Sequence, residues 1–153
     1  MVILIKVYMD VCCLSRPFDD LSQDKVYMEA EAVLAIISKC EKGDWILISS
    51  SIIDVELSKL RDAEKIEKIQ KIYEIAEEYF SMSPQAEQRA EYLRQHGIKA
   101  FDSLHLALAE TQGADIFLTT DERFLRTAKR LNLNIKISNP VLWLMEVLKN
   151  DEG

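Results

Sequence analysis

From Val2 to Met9 nearly every position is apolar, with Lys6 the one interruption, and β-branched and aromatic residues dominate. That pattern predicts a central strand covered on both faces in a parallel sheet. A polar loop through Arg16-Pro-Phe-Asp-Asp20 follows, and from about Ser22 to Lys42 the period changes. There Val26, Ala30, Val33, Leu34 and Ile37 recur at helical spacing until Gly43 ends the helix. Trp45-Ile-Leu-Ile48 reads as a short buried strand, and Ser51 is placed to cap a helix running to about Leu60.

The second half repeats the alternation. Ile66, Ile69, Ile72, Tyr73 and Ala76 form one stripe of a helix from about Ala63 to Tyr79, with Lys and Glu filling its solvated side. Phe80-Ser-Met-Ser83 is a candidate short strand, and Pro84 suits the first turn of a helix ending at Gly97. Phe101 to Gln112 is apolar almost all round, which predicts a buried helix closed by Gly113. Ile116 to Leu118 and Ile135 to Ile137 are strands around a helix from Thr120 to Leu131, and Asn139-Pro140 opens a last helix through Leu148. Short apolar strands alternating with helices define an α/β chain: three layers, α/β/α, around a mostly parallel sheet, in one domain spanning 1–150. Ligands of such sheets bind beyond the carboxyl ends of the strands, near the point where strand order reverses.

Composition narrows the partners. With 153 residues, 48% hydrophobic, the chain suits one soluble domain, and a net charge of −7 makes it a poor general binder of polyanions. Any nucleic-acid role must therefore rest on local basic patches and on metal at an acidic site. The cysteines, Cys12, Cys13 and Cys40, are odd in number and two are sequence neighbours, which points to reduced thiols in the cytoplasm. No run approaches the roughly 20 apolar residues of a membrane span, and the N-terminus carries no cleavage-site pattern.

Four acids stand out against this plan. Asp10 and Asp121 each close a predicted strand, while Glu56 and Asp102 lie in apolar helical segments. Ile52, Ile53, Val55, Leu57 and Leu60 place Glu56 near the middle of an apolar arc, so it needs a partner: a divalent ion or a Lys or Arg. Each of the others has a simpler reading. Asp102 could cap its helix, Thr119 with Glu122 could form a capping box around Asp121, and Asp10 could make an Asx-type turn. None of these explains acids after two separate buried strands together with one inside a helical stripe. Carboxylates that converge without a counter-charge repel and take up protons, so the set is expected to hold a hard divalent cation.

The chain resembles the PIN-domain family, in particular its VapC-type toxin ribonucleases. The resemblance rests on Tyr8-Met-Asp10, Arg16-Pro-Phe-Asp-Asp20, Ile53-Asp-Val-Glu56, Phe101-Asp-Ser-Leu-His-Leu-Ala107 and Leu118-Thr-Thr-Asp-Glu-Arg-Phe124, in that order and spacing. It implies Mg²⁺- or Mn²⁺-dependent cleavage of single-stranded or loop RNA to a 5′-phosphate and a 3′-hydroxyl. The catalytic and metal-binding quartet carries over to Asp10, Glu56, Asp102 and Asp121, with Thr119 in support. The ion would activate a water for in-line attack on the phosphodiester and neutralise the leaving oxygen. The resemblance further implies an antitoxin partner and a homodimer, for which the helices from Ala63 to Gln112 offer apolar surface. One departure is Cys12, where many relatives carry Ser or Asn; a thiol is a poor ligand for a hard ion.

Basic residues are sparse near these motifs. Arg16 and Lys99 flank the first and third, and Arg123, Arg126 and Arg130 recur on one helix face, so Arg16, Lys99 and Arg123 are the candidate RNA contacts. His105 reads as a satisfied core histidine, and Trp45 and Trp143 as core or dimer interface. Two other enzyme or signalling classes fit less well. A phosphatase using Asp10 as nucleophile lacks a second acid at Cys12, and a receiver module would need an aspartate after Trp45-Ile-Leu-Ile-Ser-Ser50. A catalytically inactive PIN-like module binding RNA or protein is the non-enzymatic alternative.

Overall fold

The computed structural model describes residues 3–152. Five strands, β1 (Ile5–Met9), β2 (Trp45–Ser50), β3 (Glu78–Phe80), β4 (Ile116–Leu118) and β5 (Lys136–Ser138), form one sheet in the order β3-β2-β1-β4-β5. Every pairing is parallel, with Val7 opposite Leu47 on one side and Ile116 on the other. The chain thus winds outward from β1 twice, first through β2 and β3 and then, after crossing back, through β4 and β5. The reversal of direction lies between β1 and β4, and a cleft beyond their carboxyl ends is the natural ligand position.

The connections are helical: α1 (Val11–Ser15), α2 (Asp24–Glu41), α3 (Ser51–Ser58), α4 (Ala63–Tyr73), α5 (Pro84–Gln95), α6 (Ala100–Gln112), α7 (Glu122–Lys129) and α8 (Pro140–Glu152). Helix α1 packs on α2 and α4 and α2 on α8, while α5 packs on α6. Right-handed crossovers leaving β1 in opposite directions place their helices on opposite faces, which gives the three layers. Val7, Tyr8 and Met9 are fully buried, as are Leu47, Ile48, Phe117 and Leu118. Trp45 and Trp143 meet in the core with ring centroids 4.9 Å apart.

Several boundaries differ from the pattern-based expectation, each for a local reason. The start of the first strand at Val2 lies outside the described residues. The expected loop after Asp10 begins instead as α1, followed by a 3-10 turn at Arg16–Phe18. One turn of helix is too short to show a period, and its signal is the Asp10 cap. The helix expected to reach Tyr79 stops at Tyr73, because residues 78–80 pair with β2 as an edge strand. Competition from a sheet edge is invisible in a local helical period. Helix α3 is capped by Ser50, not Ser51: the Ser50 hydroxyl accepts from the Ile53 N–H at 3.1 Å, while Ser51 accepts from the Met82 N–H. Of the apolar arc expected around Glu56, Val55 and Leu60 are exposed. Between Ala63 and Gln112 the exposed large apolar side chains are Tyr79 and Tyr92, while α2 and α8 expose Tyr27, Met28, Leu34, Leu142, Met145 and Leu148.

Candidate active site

Asp10 sits one residue beyond β1 and is 2% exposed. Its backbone N–H donates to Leu118 O at 3.3 Å, and its Oδ1 accepts from the Cys13 N–H at 3.0 Å as the cap of α1. The strand therefore ends with a carboxylate fixed over the β1–β4 boundary. Burial pushes its pKa up to about 6, against the opposing pull of the Thr119 hydroxyl and the His105 ring.

Asp121 follows β4 and caps α7, its Oδ1 accepting from the Phe124 N–H at 3.1 Å. Thr119 is not that cap; its Oγ1 accepts from the Asp121 N–H at 3.2 Å and fixes the turn carrying the acid. Asp102 lies in the first turn of α6, whose cap position is Lys99, so the capping reading of Asp102 does not hold. Burial raises its pKa to about 6, and the charges of Asp10 and Asp121 add to the effect. Asp102, Asp121, Lys99 and Arg123 line a cleft of about 180 Å³ with Ile98 and Phe124.

Glu56, on α3, is half-buried, and its partner is neither Lys nor Arg. Its Oε2 lies 3.0 Å from His105 Nε2. His105 is a satisfied core histidine, as expected from the sequence, with a partner on each ring nitrogen. It is buried, and its second nitrogen, Nδ1, lies 2.6 Å from the Tyr8 hydroxyl, which is 2.7 Å from Ser50 Oγ. The motif spacing contains His105 and Tyr8, but the contact joining them spans 97 residues and has no local signature.

The four acids act on one another. The Cys12 thiol is held far above its ordinary range by the charge of Asp10 first, then by burial and by Glu56, Asp102 and Asp121. All four are therefore near Cys12 and share one electrostatic neighbourhood. Among the described residues no ion pair engages Asp10, Asp102 or Asp121. Nor do any three His, Cys, Asp or Glu side chains there stand close enough to chelate one ion as they are.

A second buried acid makes the contrast. Glu29, 1% exposed, receives Arg16 Nε at 2.9 Å, Asn139 Nδ2 at 2.7 Å and Lys25 Nζ at 3.3 Å. Arg16 also pairs with Asp19 at 3.0 Å. The arginine expected to reach RNA is instead pinned between two carboxylates, and it ties the 3-10 turn to α2. Arg123 lines the acidic cleft, whereas Arg126 lines a separate groove between α2, α7 and α8.

The chain is a doubly wound parallel α/β domain with Asp10 and Asp121 beyond the carboxyl ends of β1 and β4, the strands that flank its switch point. The chain belongs to the PIN domain family, whose model matches residues 14–130. That span includes Glu56, Asp102 and Asp121 and begins just after Asp10. The fold is shared with FitAcB from Neisseria gonorrhoeae, at 17% identity and a TM-score of 0.59 over 88% of this chain and 97% of that one. VapBC2 from Rickettsia felis, solved bound to a DNA fragment from their promoter, matches at 18% identity and a TM-score of 0.59, covering 88% and 98%. VapBC-1 from nontypeable Haemophilus influenzae matches at 13% and 0.56, covering 89% and 98%. Among curated proteins none matches the sequence significantly.

Proposed function

We propose that the chain is a Mg²⁺- or Mn²⁺-dependent endoribonuclease that cuts single-stranded or loop RNA, and that it is the toxin of a type II toxin–antitoxin pair. The observation carrying this reading is Asp10: a buried carboxylate at the switch point, with three further acids near it and no cation partner among the described residues. Glu29 shows how this fold neutralises a buried acid when its role is structural. An all-oxygen donor set of carboxylates suits a hard divalent ion, so Asp10, Glu56, Asp102 and Asp121 would hold it.

A bound ion supplies a Lewis acid that polarises the phosphodiester and makes the attacking water more acidic. The chain's own residues do the rest. The Cys13 N–H fixes the Asp10 oxygen, the Thr119 hydroxyl fixes the turn that carries Asp121, and His105 holds Glu56. Lys99 and Arg123, on the wall of the same cleft, neutralise phosphates entering beside Asp102 and Asp121. Cys12, kept as a neutral thiol by the surrounding charge, adds no ligand.

The single domain over 1–150, a cytoplasmic location, an antitoxin partner and a homodimer complete the proposal. Their support is the VapC-type motif pattern and the shared fold of the VapBC structures. No helix among the described residues is long and apolar enough to cross a membrane. The deciding experiment is cleavage of a looped RNA by the purified chain. Mg²⁺ or Mn²⁺ should support cutting, EDTA should abolish it, and Asp10→Asn should lower it by orders of magnitude. Cleavage that survives EDTA removes the metal-nuclease reading; RNA or protein binding without any cutting puts the inactive binding module in its place.

A further inference from the structure

Behind the four acids a chain of polar contacts runs from Ser50 through Tyr8 and His105 to Glu56. Ser50, Tyr8 and His105 are all buried, and they connect β2, β1 and α6 across 97 residues of sequence. Buried polar groups persist only when their bonds are made, and here one arrangement of protons makes all of them. Ile53 N–H donates to Ser50 Oγ at 3.1 Å. The Ser50 hydroxyl then donates to the Tyr8 oxygen at 2.7 Å. Tyr8 O–H donates to His105 Nδ1 at 2.6 Å, and His105 Nε2–H donates to Glu56 Oε2 at 3.0 Å. With the Tyr8–Ser50 bond reversed, Ser50 Oγ would receive two donors and its own proton would have no acceptor.

The chain of bonds also closes on itself. It begins at the cap of α3 and ends at Glu56 on that same helix, having passed through the strand of Asp10 and the helix of Asp102. Tyr8 and Asp10 are two residues apart, on the same side of the strand direction, and Asp102 and His105 are three apart on one helix face. Tyr8 thus sits beside Asp10 and His105 beside Asp102, and the network ends on Glu56.

We propose that His105 is a positioning residue: through its Nε2–H it holds the Glu56 carboxylate among the four acids, in an orientation set by Tyr8 and Ser50. This rests on the metal-nuclease reading. Hydrogen-bond partners of this kind are worth about 10–100-fold in metal affinity.

The test is Mn²⁺ affinity of the purified full chain, read by calorimetry or by the paramagnetic resonance of bound Mn²⁺, alongside melting curves. His105→Gln, whose amide N–H can replace Nε2–H, should bind Mn²⁺ within a few-fold of the parent. His105→Leu should bind about 10–100-fold more weakly, and Tyr8→Phe, which frees the ring but keeps its stacking on Phe117, should show a smaller loss. Should His105→Leu not fold, ¹⁵N-histidine spectra of the unaltered protein decide, since the chain has only two histidines: a proton on His105 Nε2 supports the assignment and its absence overturns it. Equal Mn²⁺ binding by parent and folded His105→Leu, with Asp10→Asn and Glu56→Gln weakened, overturns the His105 role and leaves the nuclease reading standing. Unchanged binding in Asp10→Asn and Glu56→Gln removes the metal reading, and the His105 role with it.

Discussion

The Tyr8 hydroxyl lies 2.6 Å from His105 Nδ1, in a place where neither side chain touches solvent. This contact makes the orientation of α6 against β1 a matter of hydrogen-bond geometry as well as packing. The Tyr8 ring, stacked on Phe117 with centroids 5.1 Å apart, is locked from the β4 side too. The strand that presents Asp10 is thereby held to both the helix that carries Asp102 and the strand that precedes Asp121.

Without metal, Asp10 should weaken the fold in proportion to its ionisation. Its folded pKa of about 6 lies above the ordinary 3.8, so its stability contribution is present at low pH and is lost as pH rises from about 4 through 6. The loss is on the order of 2–3 kcal/mol. Asp10→Asn, which keeps an oxygen for the Cys13 N–H, should melt higher than the parent in EDTA at pH 8 and lose that advantage near pH 4. A constant difference across that range would mean that Asp10 is not the titrating group.

Divalent cation should reverse this penalty. At a concentration one hundred times Kd, binding to the folded state alone adds about 2.7 kcal/mol. For a chain of this length that is roughly 5–10 °C in melting temperature. Asp10→Asn and Asp121→Asn should respond much less to Mn²⁺ than the parent. A response of the same size in both variants would place the ion elsewhere.

Lys99 and Arg123 should carry salt-dependent affinity for RNA. Replacing either by Ala should reduce the slope of log K against log salt by about 0.7, the value for one phosphate contact on a single strand. The measurement is RNA binding by fluorescence anisotropy at several salt concentrations, with Asp10→Asn as background to prevent cutting. Slopes unchanged in both variants would leave the cleft without its phosphate contacts.

Arg16→Ala should behave differently in the same assay. Its guanidinium is held by Glu29 and Asp19, so its loss should destabilise the fold by about 1–3 kcal/mol and leave the RNA salt slope as it was. Melting curves and the anisotropy series separate the two effects. A lower slope with unchanged stability would restore Arg16 as an RNA contact.

If the chain dimerises, the exposed apolar residues of α2 and α8 offer a face for it. Leu142 and Met145 are 61% and 63% exposed, one helical turn apart. Sedimentation at micromolar concentration should give a dimer for the parent and a monomer for Met145→Asp. A parent that sediments as a monomer removes the dimer and leaves the catalytic proposal untouched.

The sequence by itself determined four of the five strands and most helices, because continuous apolar runs and helical stripes are local signals that burial alone generates. It also determined that acids come just after β1 and β4, since Asp10 directly follows the first run and Asp121 follows the second after Thr119-Thr120. Only the tertiary structure decided what each acid touches. Residues 78–80 became strand because β2 had an open edge, and Arg16 became a clamp because Glu29 lies buried one helix away. Glu56 met a histidine 49 residues distant instead of a lysine or arginine. Those outcomes depend on which side chains the sheet order brings within 3 Å, a distance that the local period of a sequence does not encode.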